Sequence, residues 1–124
     1  MATVGFGVAG VVNLCTAQTG NGATTNVADR GAIGGGPALL RIVTTVGATP
    51  TCTYLLEGSA DGTNFFALPY ATAAAPETPA VATFAITAAT TTLVHVRANH
   101  AWRYMRVTMS ANTNVTSTID LYSS

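Results

Sequence analysis

The 124-residue chain carries five basic residues, all arginine, five acidic residues and a formal net charge of zero. Charged residues are 8% of it, against about 25% in an average globular protein. The electrostatic term that drives nucleic-acid binding is therefore missing, and self-repulsion does not oppose association. The length fits one domain, residues 1–124, with a core large enough to need neither metals nor disulfides.

Residues 3–15 read as a strand. The apolar stretch 4–14 falls short of the ~18–20 residues of a membrane span. It is interrupted by Gly5, Gly7, Gly10 and Asn13 and lacks a basic leader, so a soluble, unprocessed chain is expected. Val4, Phe6, Val8, Val11, Val12 and Leu14 form either the first strand of the domain or an arm that pairs with a neighbour by strand addition. Residues 18–23 are a Gly/Asn loop, 27–33 a short strand, and Gly34-Gly35-Gly36-Pro37 a hinge.

Two stretches rich in β-formers follow, 39–46 and 52–59, with Gly47, Ala48, Thr49, Pro50 and Thr51 between them as a turn. A hairpin centred on Thr49 would set Arg41 opposite Glu57 and Val43 opposite Leu55. It would also gather Leu40, Ile42 and Val46 with Cys52, Tyr54 and Leu56 on the other face. Asp61-Gly62 is the next turn, leading into 64–70; its loop has two residues, or three with a bulge, so either Phe65 or Phe66 is the buried one. The Ala-rich stretch 71–75, among Pro69, Pro76 and Pro79, reads as a loop.

The remaining strands are 81–87, 93–97, 102–110 and 115–122. Residues 98–101 and 111–114 are the turns before the last two. Met105, Val107 and Met109, with Arg103, share one face; Trp102, Tyr104, Arg106 and Thr108 share the other. In the last strand Val115, Ile119 and Leu121 point inward. Seven or eight strands, turns every 8–12 residues and no helical period predict an all-β fold. The reading is a single antiparallel β-sandwich, jelly-roll or Ig-like.

The residues offer no catalytic, metal or cofactor constellation. His95 and His100 are five apart and fall on opposite faces of a continuing strand, which is wrong for two ligands of one metal. Asp61 alone is far short of a calcium shell and reads as a turn-maker. The triple glycine 34–36 precedes no helix that could aim amides at a phosphate. Phe65, Trp102 and Arg103 are the candidate stacking or contact residues, set against the reading that the aromatics pack while arginines cover them. Cys15 and Cys52 read as two small buried hydrophobes in preference to a disulfide. Asn114-Val115-Thr116 matches a glycosylation sequon, which matters only in a secreted eukaryotic protein.

Two segments carry a family resemblance. Leu56-Glu57-Gly58-Ser59-Ala60-Asp61-Gly62-Thr63-Asn64-Phe65 resembles an "EGS-x-DGTN-aromatic" hairpin, and Arg103-Tyr104-Met105-Arg106-Val107 the "RYxRV" strand that accompanies it. The pair is found in discoidin-like jelly rolls and in small bacteriophage structural proteins. Thr16-Ala17-Gln18-Thr19-Gly20-Asn21-Gly22 is similar to the opening stretch of the phage group. The resemblance implies a non-enzymatic virion protein on the capsid surface, made in the host cytoplasm, of the decoration or cement type. Its implied partners are the major capsid protein and further copies of itself, with no nucleic acid and no membrane. The alternative is a carbohydrate-binding β-sandwich module of a phage tail or cell-surface protein.

Overall fold

The computed structural model describes residues 2–5, 10–31, 37–72, 77, 79–96 and 102–123. They contain ten strands and no helix: β1 (Ala2–Gly5), β2 (Val11–Gln18), β3 (Gly22–Ala23), β4 (Asn26–Asp29), β5 (Ala38–Ser59), β6 (Phe66–Ala67), β7 (Ala71–Thr72), β8 (Phe84–Ile86), β9 (Thr91–Val96) and β10 (Tyr104–Ser123). All ten belong to one mixed sheet. The expected all-β class is present. The expected two sheets of seven or eight purely antiparallel strands are not, because every strand is joined to one hydrogen-bonded network and β1 runs parallel to β4.

The spine of that network is the antiparallel pair β5–β10, which runs from Tyr104↔Ser59 to Ser123↔Ala38. The hairpin expected between 39–46 and 52–59 is therefore absent; both stretches lie in the single strand β5. Arg41 does not face Glu57. It stands opposite Asp120 on β10, with 3.8 Å between charged atoms, while Glu57 stands opposite Arg106 at 3.1 Å. Likewise 102–110 and 115–122 are not separate strands but parts of β10.

Both long strands are bent at the same level. Thr49 in β5 and Ala111 and Asn114 in β10 have φ of 45°, 50° and 54°, and the ladder register shifts between Ser110 and Val115. Positive φ is costly for residues with a Cβ, so these three positions mark where the chain turns. Asn114 steadies the bend by donating from Nδ2 to the Ala48 carbonyl at 2.7 Å. Beside it lies an open groove of about 470 Å³, bordered by Thr45, Val46, Asn114 and Thr116 and carrying no charged side chain.

The bend folds the ladder over itself. Ser117 is paired with Thr44, and Tyr54 lies ten residues further along β5, about 33 Å away in a straight strand. Yet the Tyr54 hydroxyl and Ser117 Oγ are 2.6 Å apart in the interior. One half of the sheet holds β7, β9, the start of β5, the end of β10 and β2. The other holds β6 and β8, the end of β5, the start of β10, β3, β4 and β1. Their inner faces supply one core that includes Leu14, Leu40, Ile42, Tyr54, Leu56, Met105, Val107, Met109, Ile119 and Leu121. Tyr54 stacks on Phe84 at 5.4 Å, and Tyr70 meets the same ring edge-on at 5.3 Å.

The candidate arm is used inside the chain. Ala2–Gly5 pairs with Asn26–Asp29, and Val11–Gln18 pairs with β10. Val4 packs against the core, Val12 and Leu14 are buried in it, and Val11 is exposed. Phe6 and Val8 lie outside the described residues, as do the triple glycine 34–36, His100 and the turn at 98–101. Of the loop expected at 71–75, Ala71 and Thr72 form a short strand on β9, and the rest lies outside the described residues.

Cys15 and Cys52 are free and buried. Burial pushes the Cys15 thiol up to about 11 and raises Cys52 as well, so neither is a thiolate at neutral pH. The folded protein is expected to react with a disulfide reagent at pH 8 at least about 100-fold more slowly than the urea-unfolded chain, because the thiols are reached only through opening. A rapid phase in the native state, followed by absorbance of the released thiolate, would contradict this burial.

A candidate interaction surface built from the two motifs

The two resembling segments meet at one end of the folded sheet. Ser59, at the end of β5, pairs with Tyr104, at the start of β10, and the ladder continues through Gly58↔Met105 and Glu57↔Arg106. The chain then turns and returns as β6, with Glu57↔Ala67 and Gly58↔Phe66. The Asp-Gly turn thus does form a hairpin, but its loop runs from Ser59 to Phe65 and is longer than two or three residues.

Asp61 organises that loop. Its Oδ1 accepts from the backbone N–H of Thr63 and of Asn64, both at 2.8 Å, and from Ser59 Oγ at 3.0 Å. Its Oδ2 accepts from Asn64 Nδ2 at 2.8 Å. These donors hold the carboxyl well below the usual aspartate range. With its lone pairs taken by the loop, Asp61 is the turn-maker expected of it.

The glycines explain why the two motifs occur together. A Cβ on Gly58 would stand 3.1 Å from Trp102 Cβ and 3.2 Å from Leu68 Cδ1, tighter than a packed interior tolerates. Gly62 has φ of +79°, and a Cβ there would lie 3.4 Å from the Tyr104 ring. The loop therefore seats directly on the aromatic residues of β10 and its approach.

The candidate stacking residues are then covered one by one. Trp102 is 4% exposed; the Arg30 guanidinium lies 3.6 Å from its ring centroid and donates to the Trp102 carbonyl at 2.7 Å. Trp102 precedes β10, so the alternation that grouped it with Tyr104, Arg106 and Thr108 does not reach it, and it packs under Arg30 as the covering reading expected. Phe65 is half-buried under Arg106, whose guanidinium is 3.8 Å from the ring centroid. Phe66, its neighbour, is 44% exposed. Arg103 is held in a two-point pair by Asp29, Nε to Oδ1 at 2.8 Å and Nη2 to Oδ2 at 3.2 Å. Arg106 and Thr108 both donate to Glu57 Oε1. Among the described residues, the buried indole N–H of Trp102 finds no acceptor.

Sequence reasoning named Phe65, Trp102 and Arg103 as candidate stacking or contact residues, and the structure sets Phe65 under Arg106 and Arg103 on Asp29 at the same end of the sheet. It missed Arg30, Asp29 and Phe66. The signal for Arg30 was weak: it lies 72 residues from Trp102, and only the pairing of β4 with the start of β10 unites them. Among the described residues no group of three or more His, Cys, Asp or Glu is placed to hold a metal ion, and His95 lies exposed on β9.

The pair between Asp29 and Arg103 lowers the carboxyl, chiefly through the hydrogen bond from Arg103. Asp29 and Asp61 thus both stay ionised in the folded state at pH values where the unfolded chain, at about 3.9, already binds protons. Their contribution is complete above about pH 4 and fades as the pH falls through the lowered folded values. The melting temperature is expected to drop between about pH 4 and pH 2, and the drop to shrink in an Asp29→Asn, Asp61→Asn double variant. Thermal melts by circular dichroism across that range check it; identical pH profiles would remove both carboxylates from the account.

No protein-family model matches the chain, and no curated protein matches it. Among solved structures the fold has a match. The chain is similar to the crystal structure of SPBc2 prophage-derived protein YomS, with a TM-score of 0.63 and 9% identity, over 92% of this chain and 91% of that chain. At that identity the likeness concerns the fold, and it extends over nearly the whole of both chains.

Proposed function

We propose that the chain is a non-enzymatic phage virion structural protein of the capsid-decoration type. In this reading it holds to the major capsid protein and to copies of itself at the capsid surface. The observation that carries the reading is the near full-length fold likeness to a prophage-derived protein. The motif resemblance to small phage structural proteins points the same way. The bent sheet then serves as a compact jelly-roll-like sandwich whose outer faces are free for contact.

Electrostatics support a protein partner. Arg41, Arg103 and Arg106 are each paired with a carboxylate of the same chain, and Arg30 lies over Trp102. Such arginines are already engaged, which disfavours phosphate binding. The carbohydrate-binding alternative needs an open ring face; Trp102 is 4% exposed and Phe65 is half-buried under Arg106, so of these neighbouring rings Phe66 stands open.

A decoration protein gains hold by repeating a modest interface over a symmetric shell. Quantitative mass spectrometry of purified virions is expected to find the chain in hundreds of copies per particle. Particles that lack it are expected to release their genome at lower temperature. Absence from purified particles would falsify the proposal, and a handful of copies would move the chain to the tail.

A further inference from the structure

The outer face of the half-sheet formed by β9, the start of β5, the end of β10 and β2 carries half-exposed and exposed side chains. Its strands lie side by side in that order. Alternation puts Leu40, Ile42, Ile119 and Leu121 inside, so Leu39, Arg41, Asp120 and Tyr122 line the outside. Arg41 and Asp120 are directly opposite each other at the centre, with side chains 42% and 19% exposed; they form a loose pair within the chain at 3.8 Å, and Asp120 Oδ1 also accepts from Asn13 Nδ2 at 2.9 Å. Leu39 and Tyr122 are likewise direct partners in the ladder. On the flanks stand Leu93, next to Arg41 on β9, and Val11, next to Tyr122 on β2. They are 39% and 38% exposed, two of the five large apolar side chains left so open among the described residues.

We propose that this face is where a second copy of the chain docks. The charge pattern selects that occupant. A two-fold axis lying in the interface and running along the strands between β5 and β10 sets Arg41 of one copy over Asp120 of the other, and the reverse. It also sets Leu39 of one copy over Tyr122 of the other. The surface is thus its own complement, as a two-fold contact requires. A partner with a uniformly charged surface would meet one like charge whichever way it docked.

Size bounds the contact. Four strands about 4.8 Å apart, each contributing some five residues, present about 300–400 Å² per copy. A standard stable interface buries about 800 Å² per partner. A patch this far below the standard size belongs with weak, transient contacts. Weak pairing suits molecules held at high local density on a shell, where each contact is made many times.

The surface rests on the self-association contained in the proposed function, and the test separates the two. Sedimentation equilibrium of the full chain between about 10 µM and 1 mM is expected to show a concentration-dependent dimer. Arg41→Glu alone and Asp120→Arg alone are each expected to weaken it at least about tenfold, since each sets like charges together at the two-fold. An equimolar mixture of the two variants restores opposite charges at both contacts and is expected to recover association near the unmodified level. Thermal melts confirm that the variants fold. Should either fail to, Leu93→Gln at its exposed position is expected to weaken the dimer as well. A chain that stays monomeric at 1 mM, variants that pair as well as the parent, or a mixture that does not recover overturns the surface. Abundance on virions with no dimer in solution removes this face alone; a dimer that is absent from virions removes the virion reading alone.

Discussion

Deletion of Thr118 is expected to abolish cooperative folding. Thr118 sits in the part of β10 whose register with β5 is unbroken from Val115 to Ser123, opposite Val43, while the register with β2 shifts on either side of Ile119. Removing one residue inverts the alternation of everything on one side of the cut. Either Ile119 and Leu121, both fully buried, turn to solvent, or Val115 and Ser117 do. Exposing a buried aliphatic side chain and drawing a polar one inward costs about 2–5 kcal/mol for each such site, two of them in the first case and one in the second. A domain of this size has about 5–15 kcal/mol in total. Thr118→Ala, which removes the γ-methyl and the hydroxyl that accepts from the Ala17 N–H at 3.0 Å, is the control and is expected to cost about 1 kcal/mol. Deletion of Ala48, within the bend, is expected to be far milder, because the ladder there already shifts register. Urea titrations followed by tryptophan fluorescence distinguish the three. A deletion at 118 that still unfolds in one sharp transition near the parent's midpoint would remove the strict alternation on which the core depends.

Tyr54→Ala is expected to cost about 3–5 kcal/mol, the range for losing a large buried ring. Tyr54 is 0% exposed and packs on Phe84. Its hydroxyl is the partner of Ser117 Oγ across the fold of the ladder, so truncation also leaves a buried serine without that bond. Tyr54→Phe keeps the ring and removes only the hydroxyl, and is expected to cost about 1–2 kcal/mol. For a domain of this length each kcal/mol lowers the melting temperature by roughly 3–6 °C. The two variants thus separate packing from hydrogen bonding at one point of contact between the halves. A loss below about 1 kcal/mol for Tyr54→Ala would mean that the halves do not close over this residue.

Most of the inner and outer assignments were legible in the residues. Val115, Ile119 and Leu121 are buried as their spacing leads one to expect, and so are Leu40, Ile42, Cys52, Tyr54 and Leu56; Met105, Val107 and Met109 share one face as expected, and the structure shows that face to be the buried one. The connectivity was not legible, for a definite reason. A hairpin centred on Thr49 pairs even positions with even ones, and a continuous strand also keeps even positions on one face. Both arrangements gather the same apolar side chains. The opposite charges did not decide between them either, because Arg41 and Glu57 find Asp120 and Arg106 as readily as they would find each other. Val46 shows the difference: the hairpin would bury it, and the bend leaves it 37% exposed.

The site divides in the same way. The glycines, Asp61 and the aromatic residues of the two motifs are local features, and the resemblance picked out both motifs without bringing them into contact. That Arg30 covers Trp102, and that Phe66 and not Phe65 stands open, depends on β4 and β6 arriving beside β10 and β5 from distant parts of the chain. Period-two alternation is a property of the backbone and survives any strand order, so the sequence by itself determined the β class and the two faces of each strand. Which strand pairs with which is set by how a long ladder bends and what it then encloses, and only the tertiary structure decided that.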